Sequence, residues 1–575
     1  MTTRLSSSKP QRHRLAAGGR IDRQKPLAFT FNGTRYRGYQ GDTAASALLA
    51  NGVSVVGRSL KYHRPRGIVG SGPEEPNAIL QIGSGATTLP NQRATEVGLY
   101  EDLKAESVNC WPGVNRDIGA AIGLFARFLP PGFYYKTFMG PRWMWKRYEH
   151  FIRKAAGLGV SPKEPDPDSY DKMNAHCDVL VVGGGPAGLA AALEAGRLGA
   201  RVILADEQAE LGGSLLGSRE LIDGAPAMEW AAAAVEKLAS MDEVRLLSRS
   251  TVFGYYDHNF LTILERKTDH LAPSARTGPR ERLWRVRAKQ VVIAAGAIER
   301  PLVFPNNDRP GIMLASAAST YLNRYAVAPG SRALIFTNND SAYRTALDLV
   351  DAGVSVTAVV DLRPEPGGPL SARVRQRGIE VIGGHAIVDV LGKKRVKSVV
   401  IMGLDATGDG VEGSARKIRC DLVAVSGGWS PTVHLHSQSG GEPRFDEDKT
   451  CFLPGPSVQA ERSAGSCNGS FTLGECLAGG FAAGAGAAHA AGFGNGTTSS
   501  SAPTTADETE ESLRPMWVVP SRSPTPREHK QFVDLQGDVT AADIVVAARE
   551  GFDSTPLLNR YTALGFGTDQ GKLGN

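Results

Sequence analysis

Three glycines, Gly183, Gly185 and Gly188, sit directly after the apolar run Val179 to Val182 and directly before the alanine-rich stretch Leu189 to Gly196. Those residue types in that order suit a diphosphate grip. The first glycine permits a tight turn, the second lets a diphosphate approach the backbone, and the third lets the following helix pack close to the strand. Pro186 and Ala187 then open a helix whose free amides and positive dipole end face the diphosphate. A second apolar run, Val202 to Ala205, ends in Asp206 and Glu207, about 20 residues on, where a carboxylate holds ribose hydroxyls in such units. Two adjacent carboxylates repel a 2′-phosphate, so the unit favours NAD or FAD over NADP. A glycine pattern alone is a weak signal; the complete strand, turn, helix, strand and acid make it a dinucleotide-binding unit.

Further positions extend the candidate site. Leu211 to Ser214 reads LGGS, and Gly213 with Ser214 would let a loop reach the nucleotide. The strand-like Val244 to Val252 leads into GYYDHN, Gly254 to Asn259, which either approaches the adenosine, with Val252 beside it, or is simply the end of a hairpin. Gln290 to Gly296 is a hydrophobic strand ending in small residues, so Ala295 and Gly296 are expected to close over the cofactor. Before the small-residue helix expected over Phe471 to Ala485, the turn is Ala464-Gly465-Ser466. Flavin-binding folds usually place an aspartate in that turn, on the ribityl hydroxyls. A neutral Ser466 weakens the case for FAD and leaves the diphosphate and adenosine grips intact. No residue pair makes a general acid-base or nucleophile constellation, so no catalytic residue is assigned.

The elements that position these residues belong to a chain of 575 residues with a net charge of +6, too long for one core. No long basic block accompanies the charge, which argues against nucleic acid. Six scattered cysteines with no C-x-x-C pair argue against a disulfide framework, a metal or an iron-sulfur site, and suit a reducing cytoplasm. The first twenty residues lack an apolar h-region and read as a disordered tail. The longest apolar stretches are too broken or too short to span a membrane. The fold class is α/β: a core of two Rossmann-like dinucleotide-binding domains, preceded by a β-grasp, ferredoxin-like domain and followed by a small helical domain, both without a cluster. The expected boundaries are a tail at 1–20, the ferredoxin-like domain at 21–105, an aromatic and basic connection at 106–172, the dinucleotide domain at 173–325 and 410–490, a second, degenerate domain at 326–409, a linker at 491–520 and the last domain at 521–575.

Leu27 to Phe31 and Thr34 to Gly38 flank Asn32-Gly33, a strong hairpin signal, and a helix capped near Asp42 follows. The loop from Arg58 to Asn77, where cluster-binding versions of this fold carry cysteines, has none; thiolates are what hold a cluster. Its basic cluster, Arg58, Lys61, His63, Arg64 and Arg66, suits a solvated loop, a phosphate or an acidic partner. Gly132 to Phe151 is dense in Tyr, Trp, Met and Arg, types enriched in subunit interfaces, and reads as interface or core rather than nucleic-acid contact. In the second β-α-β pattern, Ala333 to Asp361, the turn is Thr337-Asn338-Asn339-Asp340. Bulk and a carboxylate there oppose a second diphosphate. Asp421 to Gly428 is expected to return to the first fold.

These pieces together resemble the α subunit of heterotetrameric sarcosine oxidase. The resemblance runs through GGRIDR near Gly18, KYHRPRG at Lys61, FYYKTFM at Phe133, the glycine unit at Gly183, GYYDHN at Gly254, AIERPLVF at Ala297, NNDRPG at Asn306 and SGGWSP at Ser426. The last domain is similar to bacterioferritin-associated-ferredoxin-like domains, with Asp534, Gln536 and Asp569 where those carry ligand cysteines. The resemblance implies a cytoplasmic complex of α, β, γ and δ subunits that oxidises sarcosine to glycine, yielding hydrogen peroxide and formaldehyde or methylene-tetrahydrofolate. It implies NAD in the dinucleotide fold of this chain, a covalently held FMN shared with the β subunit, and FAD and the amine chemistry on the β subunit. The family's α subunit continues into an aminomethyltransferase-like half, and the folate site is expected there. An FAD-dependent amine or opine-type dehydrogenase subunit is the alternative enzyme; a structural subunit with a vestigial nucleotide site is the third reading.

Overall fold

Asn32 and Gly33 adopt φ of 48° and 74°, the left-handed pair whose twist matches the strands it joins, Asp22–Phe31 (β1) and Thr34–Gln40 (β2). Helix Ala44–Ala50 (α1) is capped by Thr43, in a reciprocal box with Ser46. The expected cap, Asp42, instead accepts from the Ser46 hydroxyl at 2.6 Å. With Ile79–Ile82 (β3), Leu89–Arg93 (β4) and Leu103–Ser107 (β5), the sheet runs β2-β1-β5-β3-β4, with β1 and β5 parallel. That is a β-grasp sheet.

In this computed structural model, residues 11–136, 140–155, 157–498, 501–506, 511–525 and 529–574 are described. The chain divides into two units, one of Met1–Pro167, Glu299–Gly428 and Leu513–Asn575, the other of Asp168–Ile298 and Trp429–Ser512.

In the N-terminal part of the first unit, two expectations are corrected. Gln11 to Arg20 is not a free tail: Arg14 pairs with buried Asp42 at 2.6 Å, and Leu15 N donates to the Ala326 carbonyl at 2.8 Å. Residues 1–10 of the expected tail lie outside the described residues. The basic loop is not solvated either. Arg64 meets buried Asp308 at 2.6 Å, and Arg66 meets both Asp308 and Asp538. Asp538 also accepts from the backbone of Lys61 and Tyr62 at 2.8 and 2.9 Å. The acidic partner of this loop is the chain's own Asp308 and Asp538, because fixed opposite charges satisfy a buried guanidinium where water cannot. Of the aromatic and basic segment, helix Trp145–Ala155 (α2) is exposed at Trp145, as is Trp143 in the turn before it; residues 137–139 lie outside the described residues.

The second unit is built on Tyr170–Val182 (β6), Pro186–Arg197 (α3), Val202–Ala205 (β7), Val244–Leu247 (β8), Ser250–Tyr256 (β9), Phe260–Arg266 (β10) and Glu281–Ile293 (β11). The strand order is β8-β7-β6-β11-β10-β9, with strand Glu461–Ser463 parallel to β11. The reading Val244 to Val252 is two strands, broken where Arg249 turns to φ 53°. Buried Val179, Val181, Leu189, Ala190 and Val202 join Leu477 and Phe481 of helix Leu473–Ala490 in one core. That helix lies on α3: a Cβ on Gly480 or Gly484 would stand 2.3 Å from the carbonyl oxygens of Ala187 and Ala191. Residues of the expected linker are partly held here, since Thr504 N donates to Asp223 at 2.8 Å.

The first unit's second sheet contains Ile312–Leu314 (β12), Arg332–Thr337 (β13), Ser355–Asp361 (β14), Val381–Ile382 (β15) and Leu422–Ser426 (β16), ordered β12-β16-β13-β14-β15. Helices Ala315–Tyr325 (α4) and Ser341–Asp351 (α5) accompany it. The expectation that Asp421 to Gly428 returns to the first fold is corrected: β16 lies between β12 and β13, its alternate side chains Val423 and Val425 entering the core of Leu334, Phe336 and Val360. Among the described residues no helix is long and apolar enough to cross a membrane.

Candidate functional site

The carboxyl ends of β6 and β11 and the N-terminus of α3 converge on the predicted glycine turn. Gly183 has φ 99°, and a Cβ on it would lie 2.2 Å from the Ala294 carbonyl oxygen; one on Gly188 would lie 1.8 Å from the Gly183 oxygen. Both positions are closed to side chains by the fold itself. Gly185 differs. It has φ −77° and caps α3, with Pro186 next, and a Cβ there would meet nothing nearer than the Gly213 Cα at 3.7 Å. Space above Gly185 is therefore open, and the amides of Ala187 and Gly188 begin the helix beneath it, which is the geometry of an anion cradle.

Asp206 follows β7 and is nearly buried. One carboxylate oxygen accepts from Gly184 N at 2.6 Å and the other from Gln208 N at 2.7 Å. Two backbone donors fix the carboxylate against the glycine turn. Glu207 is half-buried, and its carbonyl accepts from Arg266 at 2.8 Å. The LGGS loop docks on the turn through Gly212 N to the Gly184 carbonyl at 2.8 Å. Gly213 faces Gly185, whereas the side chain of Ser214 is exposed. Gly465 lies over Ala187, where a Cβ would approach the Ala187 Cβ to 2.7 Å. Half-buried Ser466 stands 3.7 Å from the Cys476 sulfur. Ala295 and Val252 pack, partly buried, on the core that holds Val182 and Ile293. The carbonyl of Gly296 accepts from Thr432 N at 3.0 Å. The turn thus gathers Gly183, Gly185, Pro186, Ala187, Gly188, Asp206, Gly213 and Gly465. Val252 belongs to the supporting core. GYYDHN is a hairpin end: Tyr255 donates to Asn259 at 2.7 Å, and Asn259 donates to the Lys289 and Ala460 carbonyls.

Sequence reasoning missed Arg266 and the Gly480 and Gly484 contacts. The i, i+4 glycine pair was the available signal for the second. It also left Cys467 and Cys476 without a role. Burial pushes both thiols up to about 11, and both donate to carbonyls, Ile293 at 3.0 Å and Ser470 at 3.2 Å. A neutral, hydrogen-bonded thiol is a poor nucleophile, so neither suits disulfide exchange.

The other candidate sites are filled by side chains. In the second sheet, Arg363 bridges Asp340, in the turn, and Asp361, at the end of β14, at 2.7 and 2.8 Å. Asn339 donates to the Ser426 hydroxyl at 3.0 Å, and Asn338 to the Arg514 carbonyl at 2.8 Å. The guanidinium takes up Asp361, the strand-end carboxylate a ribose would need, together with Asp340 of the turn. In the last domain, Asp534 accepts from Gly537 N and Gly565 N at 2.7 and 3.0 Å, and Gln536 bonds Thr568 at 2.9 Å and Asp569 N at 3.3 Å. Burial raises both Asp534 and Asp569 above the usual carboxylate range. Among the described residues no group of three or more His, Cys, Asp or Glu side chains is arranged to hold a metal.

Comparison with known proteins places these pieces. Residues 24–110 match a 2Fe-2S iron-sulfur cluster binding domain, residues 177–449 a pyridine nucleotide-disulphide oxidoreductase domain, and residues 528–575 the sarcosine oxidase A3 domain. The sarcosine oxidase subunit alpha of Rhizobium meliloti is 45% identical over 98% of this chain and 55% of its own length. That of Corynebacterium sp. strain U-96 is 39% identical over 98% of this chain and 54% of its own. A solved L-proline dehydrogenase from P. horikoshii has the same fold, with a TM-score of 0.65 at 18% identity over 98% of this chain and 92% of that one. The chain spans about half the length of the curated relatives it matches. Over 98% of its own length and in its A3 domain the chain is similar to sarcosine oxidase alpha subunits.

Proposed function

We propose that this chain is the NAD-holding part of a sarcosine oxidase complex. It would contribute architecture and one wall of a shared FMN site, while the amine chemistry sits on FAD in a β subunit. The open cradle at Gly185, held between the N-terminus of α3 and the Gly213 loop in a chain 45% identical to a sarcosine oxidase alpha subunit, carries the reading. The residues present fit a dinucleotide. The amides at the start of α3 and the glycine-lined approach suit a diphosphate, and the fixed Asp206 carboxylate suits ribose hydroxyls. A bound nicotinamide accepts or donates hydride, and the residues described at the cradle, Asp206 among them, bind and orient the dinucleotide. The proposed net reaction of the complex is oxidation of sarcosine to glycine, with reduction of oxygen to hydrogen peroxide and release of formaldehyde or its capture by tetrahydrofolate. The partners are the β, γ and δ subunits, in a cytoplasmic assembly; folate capture would fall to the part of the relatives that this chain does not match.

The alternative is a subunit doing amine or opine oxidation on its own FAD. Ser466 disfavours it: the hydroxyl beside Cys476 offers no carboxylate to the ribityl chain. Mixing this chain with β, γ and δ subunits and a folate-domain segment tests the proposal. Sarcosine-dependent peroxide is expected only when this chain is present; peroxide of equal yield without it would contradict the proposal.

A further inference from the structure

Tryptophan is costly to leave in water, and a chain that exposes several together usually covers them on assembly. Three of the seven tryptophans lie between residues 111 and 145, and all three are open: Trp111 is 69%, Trp143 70% and Trp145 41% exposed. The basic residues beside them are open too. Lys146, Arg147 and Arg153 of α2 are exposed, and the helix carries a single carboxylate, Glu149, already paired with Arg153 at 2.8 Å. The stretch leading to this surface is rooted on either side. Asp117 bonds His63 at 2.8 Å, the ring of Tyr561 packs on Gly132, and Lys136 pairs with Glu550 at 2.6 Å. The approach is thus pinned by its own unit, while the indoles and cations beyond it remain uncovered.

We propose that Trp143, Trp145, Lys146, Arg147 and Arg153 form a docking surface for an acidic face of a partner protein subunit. Indole and guanidinium groups are the types that anchor protein interfaces, filling pockets and pairing with carboxylates at the rim. With Glu149 taken up by Arg153, the exposed Lys146 and Arg147 leave the surface positive, which selects a partner of opposite sign. This rests on the reading of the chain as an oxidase subunit. Nucleic acid would use similar residues, but a single short helix is a poor track for a phosphate backbone.

The test uses the full chain and the amine-oxidising flavoprotein subunit of a sarcosine oxidase, with capture measured across a salt series. Lys146→Glu with Arg147→Glu, and separately Trp143→Ser with Trp145→Ser, should each weaken capture by about tenfold or more. The first pair should also flatten the salt dependence, and both variants should keep the wild-type melting temperature. Wild-type capture with both variants within about twofold of it would overturn the surface and leave the subunit reading standing. No capture of the wild type by any partner chain would overturn both. Binding of a single-stranded oligonucleotide, lost in the same variants, would replace the acidic subunit with nucleic acid and overturn the proposal.

Discussion

A Cβ placed on Gly213 would come within 2.6 Å of the Gly185 Cα, whereas one placed on Gly185 would clear the Gly213 Cα by 3.7 Å. The asymmetry arises because the Gly213 Cβ would point at the turn and the Gly185 Cβ past it, into the open cradle. The glycines of one motif therefore serve different ends, and substitution separates them. Gly185→Val is expected to fold, with stability within about 1 kcal/mol of wild type, and to lose nucleotide because its side chain fills the diphosphate approach. Gly188→Ala is expected to cost about 3 kcal/mol, since its methyl meets backbone that cannot yield. Thermal unfolding and released nucleotide, measured on both, check the assignment.

Asp206 carries two tasks, so its removal should register twice. Asp206→Ala leaves the Gly184 and Gln208 amides without acceptors, at about 1–3 kcal/mol of stability, and removes the ribose carboxylate. Calorimetric titration should show NAD affinity reduced about tenfold or more, as for loss of a charge-assisted hydrogen bond. NADP should bind the wild type more weakly than NAD.

Arg66 lies buried between Asp308 and Asp538. Arg66→Ala leaves buried Asp538 without its guanidinium and buried Asp308 with Arg64 alone, and a loss of about 3–5 kcal/mol is expected. The loss should change little with salt, because ions do not screen a buried pair well. Denaturant unfolding at low and high salt checks both statements.

Glu299 is buried, and its carboxylate accepts from Ser316 N at 2.7 Å, capping α4 from a distance. Burial pushes its pKa up to about 7, against an ordinary 4.5. A raised folded-state value means that its contribution is fully present below about 4.5 and is lost as pH rises through about 7. Glu299→Gln removes the titration while keeping an acceptor for Ser316. The stability of the glutamine variant relative to wild type should therefore rise between those pH values, by up to about 3 kcal/mol. Melting temperatures of the two proteins across that range check the sign.

What the sequence made legible was local. The dinucleotide turn, its helix and the acid after β7 lie within one short span, and each has its own signature of glycine, apolar run or charge. The same holds for Asn32-Gly33 and for the turn at Asn338 to Asp340, whose bulk is now seen satisfied by Arg363 and Arg514. The basic loop was opaque because its partners are remote: Asp308 lies 242 residues from Arg66, and Asp538 lies 472. A run of cations in sequence looks alike whether water or a distant aspartate faces it. Strand Leu422–Ser426 was misplaced for a related reason, since a short apolar run announces a buried strand but not which sheet receives it. The packing of Arg14 on Asp42 was hidden by a polar, serine-bearing start that shares its composition with unstructured chain.

The central claim is that the Gly185 cradle holds NAD and that flavin chemistry belongs to partner chains. Purifying this chain alone, denaturing it and identifying the released nucleotide by mass spectrometry, beside a visible absorption spectrum of the native protein, tests it most directly. The account predicts NAD at about one per chain, as one intact dinucleotide fold requires, and no flavin absorbance. Tightly bound FAD would contradict it, and would make Ser466 an adequate substitute for the missing carboxylate in an enzyme that oxidises amines on its own flavin.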